Sequence, residues 1–271
     1  MGGGPDWGKP FPGKLAAGSS FVHSARDSGA IVTKPTESAD PLRERAGDLR
    51  RLSPAILLAI CASCGLAYAI PFDVIFDRLT FNIPAARALA MLVCWSAGLW
   101  LQRVNGFSLG VVKLRKPALT ITAAALGVAV WCIVMDGLIF RSSLPPGYHL
   151  SEQLPLSTRL LYYCSRAFNE NVMYRLFLGS LFAWLLRRWL RDAHYALALS
   201  MGGMAAAQFV NVTANLAFAG FAPETSLWLL LRFVLPGVLW AWLYVRHGFA
   251  ANEAAAMGVH GFLQPMVTVA F

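Results

Sequence analysis

Beyond Leu52 the chain is a series of apolar segments, near 52–72, 83–103, 117–140, 160–186, 195–219, 226–246 and 249–271, parted by short polar breaks. Each is close to the roughly 20 residues with which an α-helix crosses the hydrocarbon of a bilayer. Lipid offers no partner to backbone N–H and C=O groups, so such segments are confined to helices or to a closed barrel. Barrel strands would be about half as long. The segment lengths therefore predict an all-α, polytopic integral membrane protein with about seven transmembrane helices. Charge agrees: only 14% of the residues are charged, and 14 of the 37 charged residues fall within residues 1–51. Soluble domains run nearer a quarter charged.

Two regions follow from that distribution. Residues 1–51 form a polar, Gly- and Pro-rich tail, too poor in apolar residues to build a core. No charged stretch in it runs into an apolar one, so it does not read as a signal peptide. Trp7, Phe11 and Phe21 stand out in this tail as anchors of a candidate docking arm. Residues 52–271 form the transmembrane domain.

The breaks set the orientation. Arg43, Arg45, Arg50 and Arg51 precede the first segment; Arg103, Lys113, Arg115 and Lys116 follow the second; Arg187, Arg188 and Arg191 follow the fourth; Arg246 follows the sixth. The alternate breaks are poorer, with Arg78 beside Asp73 and Asp77, Arg141 with Glu152, and Glu224 alone. This asymmetry predicts a cytoplasmic N-terminus and a C-terminus outside. The expected location is a bacterial-type inner (plasma) membrane, crossed many times. The same pattern accounts for the net charge of +9. No basic face with aromatic or polar readers accompanies it, so nucleic acid is not an expected partner. The prolines of the 141–158 loop stop both neighbouring helices, and a short interfacial helix near 156–166 is expected to lead into the fourth segment. No internal repeat is evident, which gives an inverted-repeat transporter little support.

Five cysteines lie in or beside apolar runs, Cys61 and Cys64 as a C-x-x-C. With no second pair and no neighbouring His, packing accounts for them better than redox or metal chemistry.

Ionisable residues inside a span mark function by default, because lipid does not solvate them. The fourth segment carries Glu170, Asn171 and Arg175; the fifth Gln208, Asn211, Thr213 and Asn215; the sixth Arg232; the seventh Glu253, His260 and Gln264; Asp136 lies near the outer end of the third. Helical spacing groups them. Asn171 and Arg175 are i, i+4 neighbours with Glu170 beside them, as are Asn211 and Asn215 with Gln208 one turn before. Glu253 and His260 are two turns apart on one face, and Gln264 extends it. Three stripes in three helices predict a buried polar cavity between segments four, five and seven. Thr213 and Gln208 read better as interhelical packing groups, while an acid and an imidazole at membrane depth are costly unless paired or used.

The order and spacing of these residues resemble the CPBP family, the CAAX-type prenyl endopeptidases and bacteriocin-processing (Abi-like) intramembrane proteases. Its first motif, Glu-Glu-x-x-x-Arg, stands here as Glu170-Asn171-Val172-Met173-Tyr174-Arg175. Its middle motif, Phe-x-x-x-His, aligns with Phe209 to Thr213, and its last, His-x-x-x-Asn/Asp, with His260 to Gln264. The resemblance covers about residues 116–268 and implies a CPBP-like helical core. It also implies Glu170, His260 and Arg175 as catalytic residues, with Glu170 activating water. Three positions depart from the pattern: Asn171, Thr213 and Gln264 replace the second Glu, the middle His and the terminal Asn.

Peptide hydrolysis needs a base for water and a donor for the oxyanion. Glu170 is the expected base and His260 the expected water-orienting group or acid. Asn171, Asn211, Asn215, Glu253 and Gln264 are the candidate oxyanion or site-lining residues. One His with one or two carboxylates is a thin ligand set for zinc, and neither a metal nor another cofactor is expected. Losing one oxyanion donor typically costs about 10²–10³ in rate, and three positions have changed together. The leading expectation is a non-catalytic subunit that binds another membrane protein or a membrane-embedded peptide. The alternative is an active intramembrane endopeptidase, for which Glu170 must reach His260 directly or through one water. A transporter or channel is the distant third. Arg175, having lost its acidic partner at position 171, is expected to turn to Glu170 or to a backbone carbonyl.

Overall fold

The computed structural model describes residues 53–112, 115–144, 153–190, 195–219 and 223–270, with side chains except at 214–219 and 223–224. Trp7, Phe11 and Phe21, and the side chain of Asn215, lie outside the described residues. Eight continuous helices and no strand occur within them. They are α1 (Pro54–Ala69), α2 (Val74–Leu79), α3 (Pro84–Asn105) and α4 (Pro117–Val134, continued by a π turn at Met135–Ile139). Then come α5 (Leu156–Asn171, a π turn at Val172–Gly179, then Ser180–Leu190) and α6 (Ala196–Ala219). The last two are α7 (Pro223–Leu229, a π turn at Leu230–Val234, then Leu235–His247) and α8 (Phe249–Ala270).

Four of these helices are long and apolar enough to cross a membrane: Pro84–Asn105, Pro117–Ile139, Ala196–Thr213 and Thr225–His247. Pro54–Ala69 is apolar but shorter. Large apolar side chains cover the outer helix faces, with Leu58, Leu89, Leu138 and Leu161 all at least 63% exposed. A water-soluble monomer does not carry so much exposed apolar surface; this is a helical membrane protein. The remaining predicted segments, at 160–186 and 249–271, are helical but hold the polar residues. No separate helix forms near 156–166: α5 runs unbroken from Leu156 into the predicted fourth segment.

Local signals fix the ends. Proline occupies the first turn of α1, α3 and α4, where its missing N–H is not needed. Asp73 caps α2 by accepting the Phe76 N–H at 2.9 Å. Arg87 ties α1 to α3, its Nε donating to the Ala67 carbonyl at 2.8 Å. Gly248, at φ 95°, makes the one-residue turn from α7 to α8. A Cβ there would lie 3.1 Å from the Ser108 carbonyl oxygen, so both backbone and space require glycine.

The basic breaks meet. The Arg187 guanidinium donates to the Asn105 carbonyl at 2.8 Å, and the Val112 N–H to the His247 carbonyl at 2.9 Å. Within the bundle, small residues let backbones approach: a Cβ on Gly98 would sit 2.8 Å from Leu176, and one on Gly203 2.7 Å from the Ala183 Cα.

The π turn in α7 has a visible cause. Pro236 cannot donate to the carbonyl four residues back, and widening the helix just before it relieves the clash. The π turns of α4 and α7 hold Asp136 and Arg232, whose side chains pair at 2.9 Å. The third π turn, in α5, contains Arg175.

Candidate functional site

Helices α5 and α8 pack antiparallel. Asn171 faces Glu253, Cys164 faces Met257, Tyr163 faces His260, and Arg159 reaches Thr268. On this frame Arg175, 7% exposed, donates to Asn171 Oδ1 at 2.6 Å and to Gln208 Oε1 at 2.7 Å. The expected turn of Arg175 toward Glu170 does not occur, because two amide oxygens on α5 and α6 lie closer to its fork. Asn171 then passes the interaction on, its Nδ2 donating to Glu253 Oε1 at 3.3 Å. The amide orientation is dictated chemically: its oxygen must face the guanidinium and its nitrogen the carboxylate. A neutral amide thus stands between the guanidinium on α5 and the carboxyl group on α8.

The same line continues into α7. Gln208 Nε2 donates to the Phe233 carbonyl at 3.3 Å, in the π turn where the regular ladder is interrupted. Gly237 leaves Gln208 the room, since a Cβ there would lie 2.7 Å from Gln208 Cδ. Beside Phe233, Arg232 meets Asp136, which also accepts the Trp228 indole N–H at 2.8 Å. A buried polar chain therefore links all three π turns to α8.

Glu170 belongs to a different face. Its Oε1 accepts the Arg166 Nε–H at 2.6 Å across one helical turn, with 18% of the Glu170 side chain exposed. One turn on, the Tyr174 hydroxyl donates to Asp73 Oδ2 at 3.0 Å. Burial holds the Asp73 carboxyl above the usual carboxylate range, and the nearby Glu170 charge adds to the push. Arg166 and Tyr174 were not singled out in the sequence, and Asp73 figured there only as a charge in the first break. The first two stand four residues either side of Glu170, a legible spacing. Asp73 is 97 positions away and gave no signal.

His260 stacks on Tyr163, ring centroids 5.4 Å apart and planes 16° from parallel. Tyr163 precedes Glu170 by two turns, an axial rise of about 10 Å. No hydrogen bond joins His260 to Glu170 or to Gln264, which is buried one turn further along α8. Asn211 is buried on α6, while Thr213 bonds back to the Phe209 carbonyl of its own helix at 2.9 Å. Several buried polar atoms along α5 and α8 lack hydrogen-bond partners: His260 Nδ1, Glu253 Oε2, both amide atoms of Asn252, and Nε and Nη1 of Arg159.

The structure thus brings Arg175, Asn171, Gln208 and Glu253 together and separates Glu170 from His260. The cysteines are all free, Cys94 and Cys132 buried. Among the described residues no three His, Cys, Asp or Glu side chains are grouped to hold a metal ion. No family model, no curated protein and no solved structure matches this chain.

Proposed function

We propose that this membrane protein is a non-catalytic relative of the CPBP intramembrane proteases, crossing the membrane seven times. In this reading it serves as a subunit that binds another membrane protein or a membrane-embedded peptide. The observation that carries the reading is the ion pair at 2.6 Å between Glu170 and Arg166. A general base must be available to water and aimed at the proton it takes. Here the carboxylate is committed to a guanidinium and has no link to His260. The three altered motif positions favour the same conclusion. The gathering of the basic breaks at one end of the helices fits a cytoplasmic N-terminus and a C-terminus outside.

One observation favours the endopeptidase reading instead. Glu253 Oε2 is a buried carboxylate oxygen without a partner, next to the Arg175–Asn171 motif. In that reading Glu253 takes the base role that the motif assigns to Glu170.

Complementation of a strain lacking the gene separates these. A subunit keeps full activity as Glu170→Gln and as Glu253→Gln, and loses it when residues 1–40 are deleted. Loss of activity in either glutamate variant, at normal folded level in the membrane, overturns the non-catalytic reading.

A further inference from the structure

A groove of about 490 Å³ opens between α4, α6 and α7, lined by Gly127 and Trp131 of α4, Met201 of α6, and Leu235, Val238 and Trp242 of α7. Its walls are apolar, and the Trp131 indole N–H is already taken by the Leu231 carbonyl at 3.0 Å. Gly127 helps to make it, because a Cβ at that position would meet no other atom within 4 Å. The groove is part of the outer surface and not of the polar chain described above.

Its register leads to a cluster of cations. On α7 the lining positions 235, 238 and 242 fall on one helical face, and position 246 continues that face by one turn. On α4, Lys116 stands eleven residues before Gly127, three turns along the same face. Arg246, Arg115 and Lys116 are exposed, and the bond between the Val112 N–H and the His247 carbonyl brings their two segments together. Trp242 sets its ring edge-on to His247, centroids 4.8 Å apart, at the boundary between groove and cluster. None of the three cations has an ion-pair partner among the described residues.

We propose that this groove binds an anionic phospholipid, one acyl chain lying along α7 from Trp242 toward Leu235 and the headgroup phosphate held by Arg246 and Lys116. Length selects this occupant over a partner helix. From Leu235 to Arg246 the rise is about 16 Å, half of the roughly 30 Å hydrocarbon thickness. A docked transmembrane helix needs a seam about twice as long, whereas one leaflet's acyl chain needs this much. Charge selects the headgroup, since basic pockets at helix ends recognise anionic lipids and each cation there contributes measurably. The inference requires only that the helices lie in a bilayer, so it stands or falls independently of any catalysis at α5 and α8.

Native mass spectrometry of the full chain in detergent, titrated with dioleoyl phosphatidylglycerol and with dioleoyl phosphatidylcholine, tests it. Two cations facing a headgroup of net negative charge predict roughly thirtyfold tighter binding of the phosphatidylglycerol than of the zwitterionic phosphatidylcholine. Lys116→Gln with Arg246→Gln, both on the exposed surface, should bring the two lipids to equal affinity. Gly127→Leu should fill the groove and remove the tight site for either lipid, while the helical circular dichroism spectrum stays unchanged. Equal binding of the two lipids by the unaltered chain overturns the proposal, as does unchanged binding in Gly127→Leu. A photoreactive residue at 238 that crosslinks to protein and not to lipid in native membranes overturns it too. If Gly127→Leu fails to fold, the paired cation substitution and the crosslink decide alone.

Discussion

Along the line from Asp136 through Arg232, Gln208, Arg175 and Asn171, buried polar groups are matched donor to acceptor. Along the seam between α5 and α8, at Arg159, Asn252, Glu253 and His260, buried nitrogen and oxygen atoms have no partner. Both regions use the same residue types in the same bundle, and Asn171 belongs to each. The difference separates two uses of polarity in lipid. A matched chain holds helices in register, and removing one member strands the others. An unmatched buried polar atom costs about 1–3 kcal/mol, so stability alone does not retain it. Groups kept on such terms are where binding or chemistry is to be sought, and here they cluster on α8.

The largest break in this comparison should come at Asp136. Its side chain is 5% exposed and that of Arg232 10%, so Asp136→Ala leaves a guanidinium buried without its carboxylate. A loss of about 3–5 kcal/mol is expected, read as a collapse of folded yield and of the detergent melting temperature. A variant that melts with the parent would remove the distinction between the two regions. Next in size is Arg175→Ala, which strands acceptors on Asn171 and Gln208 and should cost about 2–3 kcal/mol. Glu170→Gln, which weakens a partly exposed pair across one turn, should cost no more than about 0.5 kcal/mol. Equal melting temperatures for these two would show that the chain does not hold the bundle. The smallest effect carries the opposite sign. Asn252 is fully buried with neither amide atom partnered. Asn252→Leu, of similar volume, should raise stability by about 1 kcal/mol. If it destabilises as much as Arg175→Ala does, the seam is as well matched as the chain.

How much of this could be read from the sequence follows the same physics. Spacing within one helix was legible. The i, i+4 relation of Asn171 and Arg175 is a hydrogen bond in the structure, and Glu253 and His260 both turn toward α5, as two residues seven apart on one face must. Partners across helices were not legible. Arg175 reached Gln208, and Asp73 met Tyr174, through crossings that no local pattern encodes. Glu170 was assigned to His260 by motif, yet Arg166 stood one turn away on the same helix. Side chains one turn apart meet without any tertiary arrangement, so the nearer cation held the carboxylate. The seven segments all fall on helices where they are described. Apolar length marks only four of them: Pro54–Ala69 is apolar but too short, and α5 and α8 spend their composition on the polar residues.

Gly248 has a consequence for how the chain enters the membrane. Phe249–Ala270 carries a buried glutamate and a histidine and is not among the helices apolar enough to cross by themselves. It is joined to one that is, Thr225–His247, by a single residue. A one-residue connection leaves no slack for α8 to wait outside while α7 settles. With the seven crossings proposed above, the pair partitions as a hairpin, the apolar arm carrying the polar one across and Asn171 meeting Glu253 on arrival. In that reading the cost of bringing the Glu253 carboxyl group into the bilayer is shared between the two arms from the start.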